Sequence, residues 1–193
     1  MNTAAFSTAI IGSVLVISAY IIVFGNETAT SYTQSRFWVN IRQDTAASLV
    51  PLQLLAAFGF ITFVIEACGV ITPDAEPKQG VLTYTYALTI CLAAFTLSSA
   101  LWPFAARSYL DHRDTRILAG ANVAANTSEK WAATLTATCL VIAAISAIVM
   151  TAGAFEGDMR PQAVIGVLFF ANVVVLADGV GWNSKMLYSA FSS

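Results

Sequence analysis

Five apolar runs, each long enough to cross a bilayer as a helix, occupy most of this 193-residue chain: 5–24, 46–72, 81–106, 131–154 and 161–182. A hydrocarbon core about 30 Å thick needs roughly 20 mainly apolar residues per helical crossing. Inside lipid, backbone N–H and C=O groups are satisfied only in helices or in a closed barrel, and runs of this length predict helices. The expected fold is therefore all-α. It is a polytopic membrane protein, a bundle of five transmembrane helices forming a single domain over 1–193. Charged residues make up only 10% of the chain, against about 25% in a soluble domain. The net charge of −2 gives no reason to expect nucleic acid as a partner. The lipid bilayer is the partner that composition implies, and an integral, multi-pass location follows, in a membrane the sequence does not specify.

Orientation follows from Lys and Arg, which accumulate in the cytoplasmic loops of membrane proteins. Alternate sides of the five runs carry seven and two of these residues, the richer side holding the first loop, the third loop and the C-terminal tail. The N-terminus is expected outside and the C-terminus inside. In that orientation Trp38, Trp102, Trp131 and Trp182 all fall near the inner surface, where indole rings anchor at headgroup level. Two N-x-S/T sequons, at Asn26 and Asn126, also fall inside. The motif is short, and the charge count outweighs it.

Boundary chemistry sits where the runs start and stop. Asn126 with Glu129 three residues later resembles a capping box opening the fourth helix. Pro161 occupies a first-turn position of the fifth, where its missing N–H costs nothing. The polar stretch Arg107–Arg116 is expected to continue the third helix past the membrane. In the fourth run, Ala133/Ala137 and Ala143/Ala147 recur at four-residue spacing, followed by Thr151. Small residues allow the close backbone approach that holds helices together in lipid. The fourth helix is thus expected at the centre of the bundle or at a contact with another subunit.

Candidate sites reduce to two acids within the runs, Glu66 and Asp178, because an ionisable group in a span marks a functional or paired site. In the expected topology they lie near opposite surfaces, separated by roughly 15–20 Å at 1.5 Å rise per residue. Each is therefore a separate local site. Glu66 lies level with Tyr84 and Tyr86, whose hydroxyls suit a polar network or an ion path. Asp178 lies level with Arg107, Lys130 and Lys185, any of which suits a helix-locking ion pair. No catalytic constellation or metal set is recognisable. His112 is the sole histidine, and Cys68, Cys91 and Cys139 are scattered singly, so neither a metal nor a cofactor is expected.

Two readings of function follow. The first is a non-enzymatic accessory or structural subunit of a larger membrane assembly. It would meet other integral-membrane subunits, or copies of itself, through small-residue helix faces and the polar inner loop 107–130. The alternative is a small oligomeric proton or cation channel or transporter that uses Glu66.

Overall fold

The computed structural model describes residues 2–25, 43–70, 85–120, 123–156, 159–176 and 183–191, with the backbone alone for 43–51, 54, 85 and 183–185. Among these residues the protein is all-helical and has no strand. The helices are α1 (Thr3–Phe24), α2 (Gln43–Ala67), α3 (Thr85–Ala119), α4 (Thr127–Glu156), α5 (Pro161–Val173) and α6 (Asn183–Phe191). Three helical segments, Thr3–Phe24, Tyr86–Ala119 and Thr127–Glu156, are long and apolar enough to cross a membrane. Leu55–Ala67 and Pro161–Leu176 are shorter apolar segments.

The expected third and fourth runs are extended. With 35 and 30 residues, α3 and α4 measure about 52 Å and 45 Å. Arg107–Arg116 is helical throughout, so the hairpin joining α3 to α4 projects past the end of α1. Of the expected fifth run, 161–176 is described: helix α5, closing in a π turn over 174–176.

Small residues set the packing. The buried positions of α1 are Ala5, Ala9, Gly12, Ala19 and Val23. They follow the alternating three- and four-residue spacing of a helix–helix seam. This seam lies along α3, with Gly12 against Thr96 and Tyr20 against Trp102, their rings 5.9 Å apart edge to face. Helices α1 and α3 therefore run parallel. In α4, Ala133, Ala143, Ala147, Met150 and Ala154 are buried, and its neighbours are α3, α5 and α6. The fourth helix is thus central within this chain itself.

At the crossing of α2 and α5 the backbones touch. A methyl built on Gly166 would stand 2.8 Å from the Gly59 carbonyl oxygen, and one on Gly59 would strike the Gly166 carbonyl. Nearby, Phe60, Phe95 and Phe170 form a triangle with ring centroids 4.8–5.3 Å apart, joining α2, α3 and α5. Such pairs contribute about 0.5–1.5 kcal/mol beyond the area they bury.

Large aliphatic side chains point the other way. Ile10, Val14, Ile17 and Ile21 of α1, and Val141, Ile145, Ile148 and Phe155 of α4, face outward. Small inside and large outside suits a bundle surrounded by lipid, where dispersion and close approach replace the hydrophobic drive between helices.

Candidate functional site

The most organised polar site lies at the projecting end of the α3–α4 hairpin. Arg116, in the last turn of α3, grips Glu129, in the first turn of α4. Its Nε donates to Oε2 and its Nη2 to Oε1, both at 2.9 Å. Glu129 is 0% exposed, and the side chain of Arg116 is 14% exposed. A parallel two-bond grip of this kind fixes orientation as well as charge. Arg116 also reaches the Val123 carbonyl through Nη1 at 3.4 Å. The Asn126 side-chain oxygen accepts the Glu129 N–H at 2.8 Å, which leaves one fewer orphan donor at the start of α4. The expected capping box is therefore half realised. Asn126 caps the helix, while the Glu129 carboxylate turns outward to α3 instead of back to the Asn126 N–H.

Below this lock the end has its own packing. Trp102, Ala106, Tyr109 and Leu110 of α3 meet Ala132 and Ala133 of α4 and Met186 and Ala190 of α6. Arg113 gives Nη2 to Asp114 at 3.1 Å. Among the described residues its Nε is a buried donor with no acceptor. Beyond the lock, Ile117, Leu118 and Val123 face outward, Leu118 being 89% exposed. Asn126→Ala is expected to lower stability by about 1 kcal/mol. The change would be read as a lower unfolding midpoint in detergent, and an unchanged midpoint would deny the cap any role.

At the opposite end, Glu66 accepts the backbone N–H of Arg160 at 2.6 Å. Arg160 is the residue that starts α5, followed by Pro161 in its first turn, as the sequence suggested. The Glu66 carboxylate thus ties the end of α2 to the positive end of α5. Asn2 N donates to the Cys68 carbonyl at 2.7 Å and brings the start of α1 to the same place.

The sequence candidates are distributed as follows. Tyr86 opens α3 and is 82% exposed, and Glu66 has its hydrogen bond from α5 instead. Tyr84, Asp178, Trp38 and Trp182 lie outside the described residues, as does the side chain of Lys185. The ion pair built on Asp178 therefore lies outside as well. Lys130 stands over the Phe191 ring, 5.8 Å from its centroid, and Arg107 is half-buried on α3. Trp131 faces outward, whereas Trp102 is buried against Tyr20 and Phe24. Trp102 thus anchors helix to helix rather than helix to headgroups.

The pair that does lock two helices, Arg116 with Glu129, was not singled out by sequence reasoning. Its signal was available: an Arg and a Glu flanking the hairpin, 13 residues apart. Hydroxyls inside the apolar region bond to their own helices. Thr96 donates to the Leu92 carbonyl, Ser98 to Ala94, Thr136 to Ala132 and Thr151 to Ala147, at 2.7–2.9 Å, and Thr151 also reaches the Val167 carbonyl of α5 at 3.4 Å. Among the described residues no group of three His, Cys, Asp or Glu side chains comes together to hold a metal. No protein-family model, no curated protein and no solved structure matches this chain.

Proposed function

We propose that the chain is a five-span membrane protein, N-terminus outside and C-terminus inside, acting as a non-enzymatic accessory subunit of a larger membrane assembly. The projecting α3–α4 end is its contact surface. One observation carries this reading. That end is locked by a buried ion pair, yet it holds Ile117, Leu118 and Val123 outward. Rigid presentation of apolar side chains suits docking, because little ordering is left to be lost on binding. The small-residue faces of α1 and α4 are filled within the chain, which moves the contact surface from those faces to the hairpin end.

The test is the size of the particle after gentle detergent extraction. A mass above that of one chain is expected, reduced to one chain by Leu118→Asp. A single-chain particle with no copurifying protein would sink the proposal. Topology is tested separately by expression in a eukaryotic membrane. Glycosylation at Asn126 would reverse the orientation proposed.

Ion conduction through Glu66 competes with this reading, and the carboxylate is committed to the start of α5. Glu66→Ala is expected to cost about 1 kcal/mol, as for the loss of a capping acceptor, and Glu66→Gln less, since an acceptor remains. A liposome flux abolished by Glu66→Gln at unchanged stability would favour the channel instead.

A further inference from the structure

We propose that the α4–α6 junction is a binding site for the headgroup of an anionic phospholipid, formed by Lys130, Trp131 and Tyr188. The inference rests on the membrane-spanning reading and is independent of the subunit role. The outward face of α4 runs from Phe155 through Ile148, Ile145 and Ile142 to Leu135. Twenty residues of helix cover about 30 Å, the thickness of a hydrocarbon core. Two threonines on this face, Thr134 and Thr138, donate to the carbonyls of Lys130 and Thr134 at 2.9 Å. Their hydroxyls are satisfied, so the face stays compatible with lipid.

One turn past Leu135 the chemistry changes. Trp131 is 70% exposed, and Lys130 beside it stands over Phe191 of α6. Tyr188 lies one turn earlier on α6 and is 75% exposed. At this level, about 6 Å beyond the hydrocarbon edge, lie the lipid headgroups. Indole and phenol rings favour that depth, with an apolar body and a polar tip. The cations nearby differ in how their charge is met. Arg116 and Arg113 are matched by Glu129 and Asp114, while Lys130 has, among the described residues, the face of an aromatic ring. A ring orients an ammonium without cancelling its charge. A phosphate with a net negative headgroup is the complementary ligand, and the continuous apolar face below it takes the acyl chains.

The experiment uses the full chain in nanodiscs of phosphatidylcholine with or without phosphatidylglycerol, read by unfolding midpoint and by lipid retained in native mass spectrometry. Insertion into the discs checks the membrane reading by itself. Phosphatidylglycerol is expected to raise the wild-type midpoint. Lys130→Gln is expected to retain roughly fivefold less of it, the effect of one Lys near an anionic surface, and Lys130→Arg to behave as wild type. Inorganic phosphate added to phosphatidylcholine discs is expected to have no effect, and reproduction of the shift by phosphate would overturn a lipid site. So would equal retention by wild type and Lys130→Gln. If Lys130→Gln does not fold, wild type and Trp131→Phe are compared for fluorescence quenching by brominated lipids. The emission lost in Trp131→Phe is expected to be the lipid-quenched part. Quenching of that part by aqueous iodide alone would overturn the site.

Discussion

Glu129→Ala is expected to remove about 3–5 kcal/mol of stability, the usual result of breaking a buried ion pair from one side. The carboxylate is fully buried and takes both forks of Arg116, so its loss leaves a guanidinium in a site with little water. The start of α4 loses a favourable charge at the same time. Glu129→Gln is expected to fall between, because one oxygen still accepts. Joint replacement, Arg116→Met with Glu129→Leu, is expected to recover most of the stability, since apolar pairs of similar volume replace buried ion pairs at little cost. Unfolding midpoints in detergent check all three. A wild-type midpoint for Glu129→Ala would mean that water reaches the pair and the hairpin end is not locked.

Gly59→Ala and Gly166→Ala are each expected to cost about 1–3 kcal/mol, as overpacking does. Each methyl would meet a backbone carbonyl of the opposite helix, and a carbonyl cannot rotate away as a side chain does. Separation of α2 from α5 is the only relief, and it weakens the Phe60–Phe95–Phe170 triangle and draws Glu66 from Arg160. The double variant is expected to cost little more than either single one, since one separation admits both methyls. Gly12→Ala is expected to act alike at the α1–α3 seam. The added methyl there would stand 2.5 Å from the Thr96 Cβ, which side-chain rotation does not move, so α1 must separate from α3. Equal midpoints for wild type and Gly59→Ala would show that the crossing is looser than described.

The helices and several of their ends were legible because they depend on local chemistry. Apolar runs predicted α1, α3 and α4, and Asn126 and Pro161 marked the starts of α4 and α5. The seam of α1 was legible too, in the three- and four-residue spacing of Ala5, Ala9, Gly12, Ala19 and Val23, though the eye is drawn to the Ala-rich α4. Partners were less legible. Glu66 invites a hydroxyl from Tyr84 or Tyr86, and the partner that could not be read is a backbone N–H 94 residues away, a group every residue except proline offers. Arg116 and Glu129 read as ordinary charges of a solvated loop until the hairpin register brings them together. The π turn over 174–176 was hidden because hydropathy is the same in an α turn and a π turn.

The contact between Glu66 and Arg160 also dictates an order of assembly at the ribosome. At roughly 5–20 residues per second, the 94 residues between them take on the order of 5–20 s to synthesise. Within that interval α3 and then α4 are completed and can join α1, while α2 waits with its Gly59 face bare. The interval is a window in which quality control or an insertion chaperone meets an incomplete bundle. A chain that stops after α4 would remain in that state permanently.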